Sequence, residues 1–276
     1  MSILISACIP EGIVLAGDSR QTYMNPRQSA RVGSDFGNKV FQLTPRIGVT
    51  TFGWAFLIPP GSGLLTNIGA LIEEFQATIN PQITVVDAAV ALSNHFQQIY
   101  QHDITALNWV PPAAGQLAFG FQVAGFSPNS TVGELYLCSI PPGTATPLLT
   151  THNPGCNWQG QIDVISRLVL GVDPRIGNLP FAAHMAATPI PNQPPLGDQL
   201  NALQYQIQWN TMTLQDAVDF SILMVNSTIS MQRFSDGIVG APGDIPGCGG
   251  QIDVAVITNR EGFRWIRKKE LRATIE

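Results

Sequence analysis

The fold turns on the opening of the chain. Ile3-Leu4-Ile5-Ser6-Ala7-Cys8-Ile9 is followed by Pro10-Glu11-Gly12, then by Ile13-Val14-Leu15-Ala16-Gly17, and the stretch closes on Asp18-Ser19-Arg20. Two apolar runs rich in β-branched residues, split by a turn signal, predict a β-hairpin. Cys8 falls inside the apolar pattern and is expected in the core. A charged cluster after an apolar strand is ordinarily a solvated strand end. Two further features weigh against that reading. The chain holds only three lysines, Lys39, Lys268 and Lys269. Lys39, the one outside the tail, opens the next apolar hairpin, Lys39–Leu43 and Ile47–Phe52 around Thr44-Pro45-Arg46. A lysine in a sheet interior requires a carboxylate partner, and Asp18 is the natural candidate.

The second feature is Ser2. Removal of Met1 before a small residue leaves Ser2 with a hydroxyl and a free α-amine. A hydroxyl is a weak nucleophile until a base takes its proton, and an N-terminal amine can be that base. A neighbouring ammonium lowers the amine's pKa by like-charge repulsion and keeps more of it neutral near pH 7. Lys39 held by Asp18 would supply that field.

Beyond Phe52, Pro59-Pro60-Gly61-Ser62-Gly63 breaks the chain, and Gln21 to Ser34 reads as a loop or a ragged strand. Leu64, Ile68, Leu71, Ile72, Phe75 and Ile79 recur at helical spacing. Thr84-x-x-Asp87 resembles a capping box, and Val86, Ala89, Leu92, Phe96 and Ile99 follow as a second apolar stripe. Gln116–Phe126, Glu134–Ile140 and Pro147–Thr151 read as strands, and Gln161–Leu170 as a helix. A Pro-rich insertion spans Asp173 to Gly197, and a short helix is expected near Leu200–Trp209. Thr213-x-x-Asp216 caps the clearest helix, with Leu214, Val218, Ile222, Val225 and Ile229 on one face and Phe220 and Leu223 widening it. Gln251–Thr258 and Phe263–Arg267 form a last hairpin. Blocks of strands alternating with blocks of helices indicate α+β layers and not a βαβ pattern. Two sheets face to face, with helices on each outer side, would cover every amphipathic surface. No composition break divides residues 1–276, so one domain is expected.

Composition excludes several classes. The 276 residues are 45% hydrophobic and 12% charged, with a net charge of −5, against about 25% charged in an average soluble protein. An acidic balance argues against nucleic acid as partner, and an apolar-rich chain argues against disorder. No run approaches the length of a membrane span, and no basic segment precedes one at the N-terminus. A cytoplasmic protein with reduced thiols is expected. Cys8, Cys138, Cys156 and Cys248 lack metal-ligand spacing, so neither metal nor cofactor is expected. So little charge suggests a surface covered by other subunits.

Ser2 through Arg20 resembles the start of proteasome β-type subunits, where a nucleophile at the mature N-terminus is followed by a hairpin ending in Asp-x-Arg. The spacing from Ser2 to Asp18 matches that family without a gap. Lys39-Val40-Phe41-Gln42-Leu43 is similar to the strand carrying the catalytic lysine, after a slightly longer loop. Cys248-Gly249-Gly250-Gln251-Ile252-Asp253-Val254 is similar to the family's Ser-Gly-Gly loop and following strand. The element order resembles the four-layer αββα sandwich of N-terminal nucleophile (Ntn) hydrolases, most of all the bacterial Anbu type. That resemblance implies Ser2 as nucleophile, Asp18 and Lys39 as its supports, and Gly53 as the oxyanion-hole glycine. It implies supporting roles for Arg20, Gln159, Cys248 and either Asp236 or Asp244, and places Thr51 and Ala55 at the substrate pocket, with room suggested for a medium or large side chain. The substrate would be a peptide or other amide, and the assembly a homo-oligomeric ring or spiral. Serine replaces the usual threonine, and Gln159 and Cys248 stand where the family has serines. Two rivals remain: a catalytically inactive structural subunit of the same fold, and a cysteine hydrolase using Cys156, with His152 nearby, or Cys248.

Overall fold

The structure is a computed structural model that describes residues 2–24, 30–187, 193–238, 241–242 and 245–270. Ten strands form two five-stranded antiparallel sheets. The first contains β1 (Ile3–Ile9), β2 (Gly12–Gly17), β8 (Gly155–Gly160), β9 (Asp253–Thr258) and β10 (Gly262–Arg267), in the order β8-β1-β2-β9-β10. The second contains β3 (Val40–Thr44), β4 (Ile47–Gly53), β5 (Phe119–Phe126), β6 (Gly133–Ile140) and β7 (Thr144–Thr150), in the order β7-β6-β5-β4-β3.

β1 and β2 are buried at every residue, which explains why they read as unbroken apolar runs. A strand covered on both faces has no polar side to alternate with. Period two still sorts the side chains. Ile3, Ile5, Ala7, Ile9, Val14 and Ala16 pack with helices α3 (Asp163–Leu170) and α6 (Leu214–Phe234). Cys8, Ile13 and Leu15 point the other way and meet Val40, Ala124, Phe126 and Leu135 of the second sheet. That sheet is sorted likewise: Val49, Phe119, Phe121 and Val123 pack with α1 (Ile68–Thr78) and α2 (Val85–Ala106). Gly48 lets the sheets close, because a Cβ there would stand 2.7 Å from Leu15 and 2.9 Å from Phe263. Fully buried Phe96 of α2 sits on Phe121 at 4.6 Å between ring centres; truncating such a ring to alanine costs about 3–5 kcal/mol.

Several expectations are corrected. Residues 21–34 contain a hairpin, Gln21–Met24 paired with Ala30–Ser34. The first helix starts at Ile68 and not near Leu64, because the Asn67 side chain caps it by accepting from Gly69 N; Leu64 is exposed. Gly155–Gly160 is an edge strand against β1, hidden in the sequence by its polar Asn-Trp-Gln core, so the following helix begins at Asp163 and not at Gln161. The Pro-rich insertion carries a 3-10 turn at Pro174–Asn178 and α4 (Pro180–Ala187). The helix expected near 200–209 is α5 (Leu196–Asn201), with a 3-10 turn at Trp209–Thr211. Val86 and Leu223, read as core, are exposed. The buried face of α6 instead includes Ser221 and Thr228, whose hydroxyls donate to the carbonyls of Ala217 and Met224 one turn back. The capping box of Thr213 and Asp216 is formed.

Candidate active site

The site lies where β1 begins, β2 ends and β3 is entered. Asp18 follows the last residue of β2 and is fully buried. Its Oδ1 accepts from Lys39 Nζ at 2.7 Å and from Ile3 N at 2.9 Å. Its Oδ2 accepts from Gly249 N at 3.0 Å and Arg20 N at 3.2 Å. Burying a carboxylate is costly unless donors replace its lost water; four donors from four parts of the chain do so here. The Ile3 bond ties that carboxylate to the residue beside Ser2. The Lys39 side chain is 6% exposed, so its stem is buried between the sheets and its ammonium is aimed at the Ser2 end of β1.

Ser2 is itself buried. Its carbonyl accepts from Gln161 N at 2.7 Å. Gly160, at φ +94°, permits that approach, since a Cβ there would collide with the Ser2 carbonyl. Ser2, Lys39, Thr51, Gly53 and Ala55 together border a pocket of about 20 Å³, room for about one water. Phe52, Trp54 and Ile68 close the space beside Thr51. The room lies in a neighbouring cleft of about 630 Å³ shared by Ser2, Gly53 and Ala55. Gly53 ends β4 at φ +94°, and a Cβ there would collide with the Ala118 carbonyl; any other residue would be strained and displaced.

The supporting residues divide. Arg20 clamps Asp35 through Nε at 2.6 Å and Nη2 at 2.9 Å, and donates from Nη1 to the Pro246 carbonyl at 3.2 Å. It thereby holds the loop that presents Gly249 to Asp18. The Arg20 guanidinium keeps the Asp35 carboxyl below its ordinary range. Asp236 is exposed beyond α6, Asp244 lies outside the described residues, and the partner of Arg20 is Asp35, which sequence reading missed. The signal for Asp35 was only its place in a polar loop ahead of Lys39.

Gln159 is on β8, opposite Leu4, and donates to Asn157 Oδ1 at 3.0 Å. Asn157 also accepts from Gln122 Nε2 at 2.7 Å, while Gln122 Oε1 accepts from Ser6 at 2.7 Å and Thr50 at 3.2 Å. This amide network, also missed, pins the two sheets together behind the site. Cys248 is buried, and its backbone N donates to Gln232 Oε1 at 2.9 Å. Burial pushes its thiol well above the ordinary value and pushes that of Cys156 up as well. Thiols raised in this way weigh against the cysteine-hydrolase reading. His152 is exposed in the turn before β8. Lys269, one of the two tail lysines, has its side chain buried against Asp253.

Among the described residues no cluster of three His, Cys, Asp or Glu side chains is placed to hold a metal ion, and no helix is long and apolar enough to cross a membrane.

No protein-family model and no curated protein matches the chain. Solved structures do. An Anbu (Gly-1) mutant from Hyphomicrobium sp. strain MC1 is 13% identical, with a TM-score of 0.55, over 100% of this chain and 89% of that one. The helical assembly of the Anbu complex from Pseudomonas aeruginosa gives 16% identity and a TM-score of 0.57, over 98% and 88%. The chain shares the Anbu fold along its whole length.

Proposed function

We propose that this chain is a single Ntn hydrolase domain of the proteasome type, a four-layer αββα sandwich that cleaves peptide or other amide bonds with Ser2 once Met1 is removed. The observation that carries the reading is the buried Asp18–Lys39 pair, tied through Ile3 N to the residue beside Ser2. A buried ion pair is weak evidence for stability, because desolvation offsets most of the attraction. A pair whose ammonium borders the same small pocket as Ser2 has a use in acid–base chemistry.

In this mechanism Ser2 Oγ attacks the substrate carbonyl carbon and its proton passes to the Ser2 α-amine. The Gly53 N–H donates to the oxyanion; such a donor is worth roughly 3–4 kcal/mol. The tetrahedral intermediate collapses, the C–N bond breaks, and the protonated α-amine gives its proton to the leaving amine. Water then adds to the ester, with the α-amine again taking and returning a proton, and the acid and free Ser2 are released. Lys39 keeps the amine's proton affinity low, Asp18 orients Lys39, and Arg20 with Gly249 orients Asp18.

The same reading makes the chain a cytoplasmic subunit of a homo-oligomeric spiral or ring, the Pseudomonas aeruginosa protein being described as a helical assembly. Exposed apolar side chains such as Leu223, Met231 and Phe234 on α6 support a covered surface. Labelling by an electrophilic activity probe, with mass spectrometry of the native N-terminus, tests the mechanism. Adduct on Ser2, absent from Ser2→Ala, is expected. Quantitative retention of Met1 removes the free amine and refutes it.

A further inference from the structure

The 630 Å³ cleft in front of Ser2 runs past Gly53 onto an aromatic wall. Trp54 and Trp109 meet edge to face with ring centres 5.7 Å apart, and Trp54 rests on Tyr100 at 5.9 Å. Tyr23 and Phe56 face the same space, and Val110 stands at its rim, 84% exposed. Among the described residues, no Asp, Glu, Lys or Arg lines the cleft.

The wall is built before any ligand arrives. Trp109 N donates to the Asp103 carbonyl at 3.2 Å, and Asp103 Oδ2 accepts from Ile58 N at 3.0 Å. Asp103 is fully buried, with His102 Nδ1 at 3.2 Å from its Oδ1. One residue near the end of α2 thus fixes both segments that carry the wall. A ring entering the cleft would meet fixed aromatic edges and faces, whereas a charged group would lose water and find no counter-charge. The cleft falls in the size range of small-ligand sites, while the pocket beside Thr51 holds only about one water.

We infer that this aromatic cleft is the specificity subsite and takes a bulky uncharged side chain, aromatic or aliphatic, adjoining the amide that is cut. The inference rests on the proposed Ser2 site, so binding and cleavage are measured separately. Ser2→Ala protein is titrated calorimetrically with an acetylated tripeptide amide ending in phenylalanine, and with its glutamate and lysine counterparts. The phenylalanine peptide is expected to bind at least about 10-fold more tightly and to change tryptophan fluorescence. Adding Trp109→Ala should weaken that peptide by about 5–10-fold and leave the other two within about 2-fold. Tyr23→Ala, on an exposed ring, is the second variant should Trp109→Ala fail to fold. Equal affinity for the three peptides, or indifference to the cleft variants, overturns the subsite. Selective binding without cleavage of the phenylalanine peptide by wild type overturns the Ser2 mechanism and leaves the subsite standing.

Discussion

Lys39→Met tests the pair on which the site depends, and its cost follows from the bonds it removes. Asp18 is fully buried and has four donors, three of them backbone amides. Losing Lys39 removes one charged hydrogen bond and leaves three amides on the carboxylate. Such a bond contributes about 1.5–3 kcal/mol, so that is the expected loss in unfolding free energy. Asp18→Ala is worse, because it removes the common acceptor of all four donors. With four bonds lost at a buried charged group, the cost is expected at about 3–5 kcal/mol. The double variant should cost less than the sum of the two single variants, because the Lys39–Asp18 bond can be lost only once. That is a coupling energy of about 1.5–3 kcal/mol in a double-mutant cycle. Urea unfolding of the four proteins measures it. Hydrolysis by Lys39→Met should fall by about 10²–10⁴, the usual weight of acid–base assistance. Strict additivity, or a Lys39→Met protein within about 0.5 kcal/mol of wild type, would refute the structural argument.

Gly53→Ala places a side chain at φ +94° and into the Ala118 carbonyl; a loss of about 2 kcal/mol or more is expected, and an unchanged thermal midpoint would contradict it. Asp35 has a folded pKa below its ordinary value because of Arg20. Its contribution is therefore present above about pH 4 and lost as pH falls through the folded value. The gap in urea midpoint between wild type and Asp35→Asn should be constant from about pH 5 upward and close in more acidic solution; a gap persisting at about pH 2 refutes the ion pair. Burial pushes the thiols of Cys8 and Cys138 up to about 12 and that of Cys248 well above its ordinary value. A disulfide reagent at about pH 8 should titrate no more than one thiol in the native protein and all four after denaturation.

The opening hairpin was legible because both its strands are buried on both faces, so hydrophobicity alone marks them. Asp18 and Lys39 were legible because a lysine next to an apolar strand demands a carboxylate, and little else was near enough in the pattern. β8 was not, because an edge strand can be polar: Asn157 and Gln159 bond to a partner amide and not to a core. Asp35 was not, because a single salt-bridged carboxylate in a loop has no periodicity. Gln122 sits inside the apolar run of β5, where its place facing Ser6 and Thr50 exists only once the two sheets are stacked. Contacts of this kind, long in sequence and short in space, leave no local trace.

The low charge of the chain follows the same division. Behind the site the sheets are joined by neutral polar groups: Ser6, Thr50, Gln122 and Asn157 satisfy one another. Neutral amides cost far less to bury than ions. Among the described residues, the two lysine–carboxylate pairs with both side chains buried lie at one end of the first sheet. Gly17 is opposite Asp253, so Asp18–Lys39 and Asp253–Lys269 lie on neighbouring strands, with Arg20–Asp35 just beyond. A fold that can pin its sheets with amides has no structural need to place charges there. Their concentration beside Ser2, with a cleft free of charge among its described residues in front of it, supports the proposed proton transfer at Ser2. Replacing Gln122 would loosen the sheets, and replacing Asp18 would, on the proposed mechanism, disarm the end they support.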